Sequence, residues 1–134
     1  MYHSRDVTRG EGHWSLYCVN LVHGQIDILD PFPWTNDQLR ACYHGAIAGR
    51  IRGRLNAVFQ EVTDGRFIDF SQFGLPFVTV PKFVHNYDDA LYIMLFMEHY
   101  DVGERKVDVC IDPVCVFCLA IFLPFSFSIL FGLY

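Results

Sequence analysis

The last 21 residues, Val114 to Tyr134, carry no charged side chain, and 17 of them are hydrophobic. Such a run must be packed in a core, inserted in lipid or left without a partner, and each choice dictates a different molecule. As a helix it would extend about 30 Å, enough to cross a hydrocarbon layer. Pro124 in its middle, the few basic residues after Lys106 and the β-like Phe125-Ser-Phe-Ser128 argue against that helix. Three readings stay open: an appended, unpacked tail of unrelated sequence, a membrane anchor through 114–134, or a genuine core element.

The tail leaves the first 113 residues to form one domain, since domains commonly need about 100–200 residues. A chain that is 52% hydrophobic and 19% charged has ample core material, which excludes disorder as a whole. The formal charge of −5 argues against general binding to nucleic-acid phosphates. Its acidity is concentrated between Glu61 and Asp112, where ten acidic residues face four basic ones, so a basic partner would favour that half. Five cysteines form an odd, loosely spaced set, and Met1–Gly10 is not a secretory signal, which points to free thiols in a reducing compartment. Cys115-x-x-Cys118 has redox or zinc spacing, but without a second pair its thiols read as small hydrophobes. His3, His23, His44, His85 and His99 show no ligand spacing and read as surface or loop residues. Neither a metal nor a cofactor is expected.

Residues 1–12 are polar and form an N-terminal extension. Trp14–Leu21 alternates apolar with polar residues, His23-Gly24 supplies a turn, and Gln25–Leu29 follows, so a hairpin is predicted. Asp30-Pro31-Phe32-Pro33 ends the second strand, because proline lacks an N–H and restricts its predecessor. Asp30 therefore falls at the sheet's rim. Thr35 with Gln38 resembles a capping box, and Leu39, Tyr43, Ile47, Ile51, Leu55 and Val58 mark the apolar face of a helix with Arg40, Arg50 and Arg54 outside. Gly45, Gly49 and Gly53 weaken that helix or break it, although small residues at this spacing also permit close packing. Phe77–Val80 reads as a strand ended by Pro81, and Ala90–Met97 as a central, all-round apolar helix capped by Asp88.

These residues carry a resemblance. His13-Trp14-Ser-Leu-Tyr17, Ile28-Leu29-Asp30, Val80-Pro81-Lys82, Asn86-Tyr87-Asp88 and the helix with Leu-Tyr-Ile-Met together resemble the catalytic domain of ubiquitin-like-modifier-specific, SUMO-type cysteine proteases, over about His13 to Tyr100. The resemblance implies an α+β, papain-like (adenovirus-protease-like) cysteine protease fold, here incomplete, with residues 13–113 as a partial protease domain ahead of the apolar tail 114–134. It implies His13 as general base, Asp30 as the acid that orients it, Trp14 as a substrate-binding neighbour, a glutamine in the oxyanion hole and a cysteine nucleophile opening a helix. In such a device a thiolate attacks the amide carbonyl, the imidazolium protonates the leaving amine, and the helix terminus lowers the thiol pKa.

The same alignment puts Asp89 at the nucleophile position and Phe83 at the oxyanion glutamine. A carboxylate would have to form a mixed anhydride and expel an amine, and loss of one oxyanion donor alone costs about 10²–10³ in rate. Asp88 and Asp89 suffice as a helix cap and a first-turn acid, with Asp89 placed to pair with protonated His13 in place of a thiolate. The chain is expected to be an inactive relative of enzymes that hydrolyse the (iso)peptide bond of SUMO or a related modifier. The alternatives are a module that binds the modifier without cleaving it, with Trp14 and the hairpin as platform, and a non-functional fragment. A ubiquitin-like modifier is the expected partner, a monomer the expected state, and nucleus or cytoplasm the expected location unless 114–134 anchors the chain in a membrane.

Overall fold

The computed structural model describes residues 13–66, 68–83 and 89–108. The predicted hairpin forms from β1 (Leu16–Asn20) and β2 (Gln25–Leu29), antiparallel with Leu16 opposite Leu29 and Asn20 opposite Gln25. Gly24 closes the turn at φ 63, a left-handed value that glycine adopts without steric cost. The predicted strand at Phe77–Val80 is shorter on hydrogen bonds than expected. Residues 74–78 run parallel to the free edge of β2 and pair with it through Ile26 N–H to Gly74 O, Ile28 N–H to Pro76 O and Val78 N–H to Ile28 O. Pro76 has no N–H to return, so the pairing stops at isolated bridges rather than a continuous ladder. β2 thus has a neighbour on both sides.

Side-chain alternation along β2 separates two packing faces. Ile26 points to α1 (Asp37–Thr63), where it meets Phe70 and Phe73 with Ile51, Leu55 and Phe59 around them. Leu29 points the other way, into a cluster with Val78, Val80, Phe83 and the α2 (Asp89–His99) residues Tyr92, Ile93, Leu95 and Phe96. Burying each such side chain contributes about 1.5–3 kcal/mol. The two helices therefore cover opposite faces of the small sheet, a simple α+β arrangement. Asp27, buried on the α2 side, is satisfied by Asn20 Nδ2, Gln25 Nε2, Tyr100 OH and Arg105.

Helix α1 is one unbroken element of 27 residues. Its cap differs from the capping box expected at Thr35: Asn36 accepts from the N–H groups of Gln38 and Leu39 at 2.9 and 3.1 Å. Its buried face is also rotated. Leu39 and Val58 are exposed, whereas His44 and Ala48 are buried and Arg40 lies over the Phe77 ring at 3.9 Å. Gly45, Gly49 and Gly53 face open space, so none of them serves a close packing contact.

Helix α2 is apolar but not enclosed all round, since Met97 is exposed. A second, minute hairpin, β3 (Tyr100–Asp101) with β4 (Lys106–Val107), follows it, where only a polar stretch was expected. Asp88 as a cap and the apolar run 114–134 lie outside the described residues. Among the described residues no helix is long and apolar enough to cross a membrane.

Candidate functional site

Extending the hairpin register by one pair sets Ser15 opposite Asp30, and alternation turns His13, Ser15 and Tyr17 toward the α1 side. The predicted partners meet there. His13 Nε2 lies 3.2 Å from Asp30 Oδ1, and Ser15 Oγ donates to the same oxygen at 3.3 Å. Asp30 follows the last residue of β2, at the sheet's rim as expected, and is buried there, 1% exposed. The Pro31–Pro33 turn folds the chain back so that the N–H of Phe32 and the indole N–H of Trp34 also donate to its carboxylate. Lys82 Nζ donates to its main-chain oxygen at 2.6 Å.

His44 completes the group, contrary to its expected place on the surface. It is fully buried on α1, with Nε2 at 2.7 Å from Asp30 Oδ2 and Nδ1 at 2.7 Å from the Tyr17 hydroxyl. Burial works against a charged Asp30, but the nearby His13 imidazole and the bonds from His44, Phe32 and Trp34 outweigh it and hold the carboxyl well below its ordinary range. Burial pushes the Tyr17 hydroxyl pKa up, aided by Tyr43 and Asp30, so the phenol keeps its proton. Around His13 stand the rings of Phe32, Tyr43 and Trp34, with centroids 4.7, 5.4 and 5.6 Å away. His44, Trp34, Tyr17 and Tyr43 went unrecognised in the sequence as site residues. The one available signal was the spacing of His44 with Ala48, Ile51 and Leu55, which continues an apolar stripe if a histidine is allowed in it.

Asp89 opens α2 next to the same end of β1, yet it does not take the imidazole as expected. Its Oδ2 accepts the backbone N–H of Trp14 at 3.1 Å, and the carboxylate beside the His13 imidazole is that of Asp30. Phe83 is buried and packs against Phe32 and Tyr92, offering only its backbone N–H, which donates to Pro31 O. Trp14 is 57% exposed. Of the described cysteines, Cys42 is exposed on α1, and Cys18 lies in β1, where burial and then Asp27 push its thiol pKa up. Neither occupies the start of a helix.

Compared with protein-family models, curated proteins and solved structures, the chain matches none.

Proposed function

We propose that this chain is a non-hydrolytic relative of the SUMO-type proteases that holds a ubiquitin-like modifier without cleaving it. One observation carries the reading. His13, Asp30 and Asp89, which come from three distant stretches and which the resemblance assigns to base, acid and nucleophile positions, converge on the same end of β1. The chemistry around them favours silence. Oxygen stands where sulfur is needed, an aromatic ring fills the oxyanion position, and the His13 side chain, 6% exposed, is walled in by aromatic rings.

Binding has a different basis. Trp14 is exposed at one end of the first hairpin and Leu21 and Val22 at its turn, and an exposed aromatic side chain is the kind of anchor a protein interface uses. The purified chain, incubated with a SUMO or related precursor, is expected to retain the precursor on a column and leave it intact. Trp14→Ala should weaken retention by about 10-fold or more, as loss of an aromatic anchor does. Turnover abolished by His13→Ala would overturn the silence, and failure to retain any such modifier would overturn the binding.

A further inference from the structure

The His13 Nε2 atom is buried and 3.2 Å from Asp30 Oδ1, yet it points off the line of a hydrogen bond and has no other hydrogen-bond partner among the described residues. A buried polar nitrogen in that condition costs free energy unless something else takes its lone pair or proton. Two more donor atoms face the same point. His13 Nε2, His44 Nε2 and an Asp30 carboxylate oxygen all lie within 4.8 Å of one another. We propose that these three residues bind a divalent transition-metal cation of the zinc type, a site the sequence did not suggest.

The donor chemistry selects the ion. Two imidazoles and one carboxylate suit zinc and its first-row neighbours, whereas calcium and magnesium prefer oxygen alone. Ligands on one tetrahedral zinc stand about 3.3 Å apart, given metal–ligand bonds of about 2.0–2.2 Å. His13 Nε2 lies 3.2 Å from Asp30 Oδ1 and His44 Nε2 2.7 Å from Oδ2, and the three donors lie within 4.8 Å of one another, so side-chain adjustment of the imidazoles about one carboxylate oxygen would be needed to reach that figure. A fourth position remains for a water.

The outer partners are in place as well. Tyr17 OH meets His44 Nδ1, so that with Nδ1 protonated the Nε2 lone pair is directed to the cation. Ser15, the Phe32 N–H and Trp34 fix the carboxylate from other directions. Lys82, which donates to the Asp30 main-chain oxygen, and Arg40, which adds positive charge beside Lys82, oppose a cation and limit its affinity. The proposal does not draw on modifier binding, and it predicts a second reason for silence, because a cation on His13 removes its basicity.

The test uses the whole chain, stripped with a chelator, dialysed and titrated with zinc sulfate by calorimetry and with cobalt(II) chloride by absorption. One equivalent is expected, with the d–d bands of a four- or five-coordinate cobalt site and no thiolate charge-transfer band. His13→Gln should weaken binding more than about 100-fold, and Tyr17→Phe, which keeps all three ligands, about 10–100-fold. Should His13→Gln fail to fold, the Tyr17→Phe affinity and the wild-type cobalt spectrum still decide the matter. No binding at micromolar metal, a thiolate band, or affinity indifferent to both substitutions would overturn the site. Modifier retention by metal-free protein would survive any of these results, so the two readings fail separately.

Discussion

Asp30 is the residue on which the most depends, because its two oxygens and main-chain carbonyl gather donors from four segments of the chain. Asp30→Asn keeps the shape but removes the charge and sets an amide N–H₂ against existing donors, so a loss of about 3 kcal/mol in urea unfolding is expected. Its folded pKa is depressed, so the stabilisation is complete above the ordinary aspartate value of 3.8 and is lost as pH falls toward the lower, folded value. The part of the gap between wild type and Asp30→Asn that comes from the Asp30 carboxyl itself should therefore be complete at neutral pH and shrink below about 4. A gap that closes between pH 8 and 6 would point to another group. His13 and Asp30 were legible in the sequence because a motif and a proline turn flagged them. His44 was not, since a histidine in the middle of a helix looks polar until a buried carboxylate is seen beneath it.

At the scale of elements, the first hairpin was legible in full, as alternation and Gly24 act locally. The existence and unbroken course of α1 were legible only in part, because local propensity does not know which face meets the sheet. Asn36 displaced Thr35 as cap, and the buried stripe turned toward His44 and Ala48 where the helix approaches Asp30. The β3–β4 hairpin left no local pattern. It is held by distant partners, including Asn20 on Val102 O, His23 on Gly103 O and Arg105 on Asp27. The three glycines of α1 face open space, so Gly45→Ala, Gly49→Ala and Gly53→Ala should each add about 0.5–1 kcal/mol, read as a rise in thermal midpoint. A loss at any of them would mean that the position touches something the described residues do not include.

For the whole molecule, the central fact is that β2 divides the interior, with His13 and Asp30 meeting α1 while the start of α2 lies beside Trp14. Supplying sulfur alone does not reconnect the two halves. Asp89→Cys with Phe83→Gln is expected to yield no more than traces of precursor cleavage, since the imidazole is buried beside Asp30 and enclosed by rings. Robust turnover by that pair would show that His13 swings out readily. The two tryptophans inherit the same partition. Trp14 is more than half exposed at one end of the first hairpin, while the indole of Trp34 is tied to the Asp30 carboxylate, so the protein carries two intrinsic fluorophores with different surroundings.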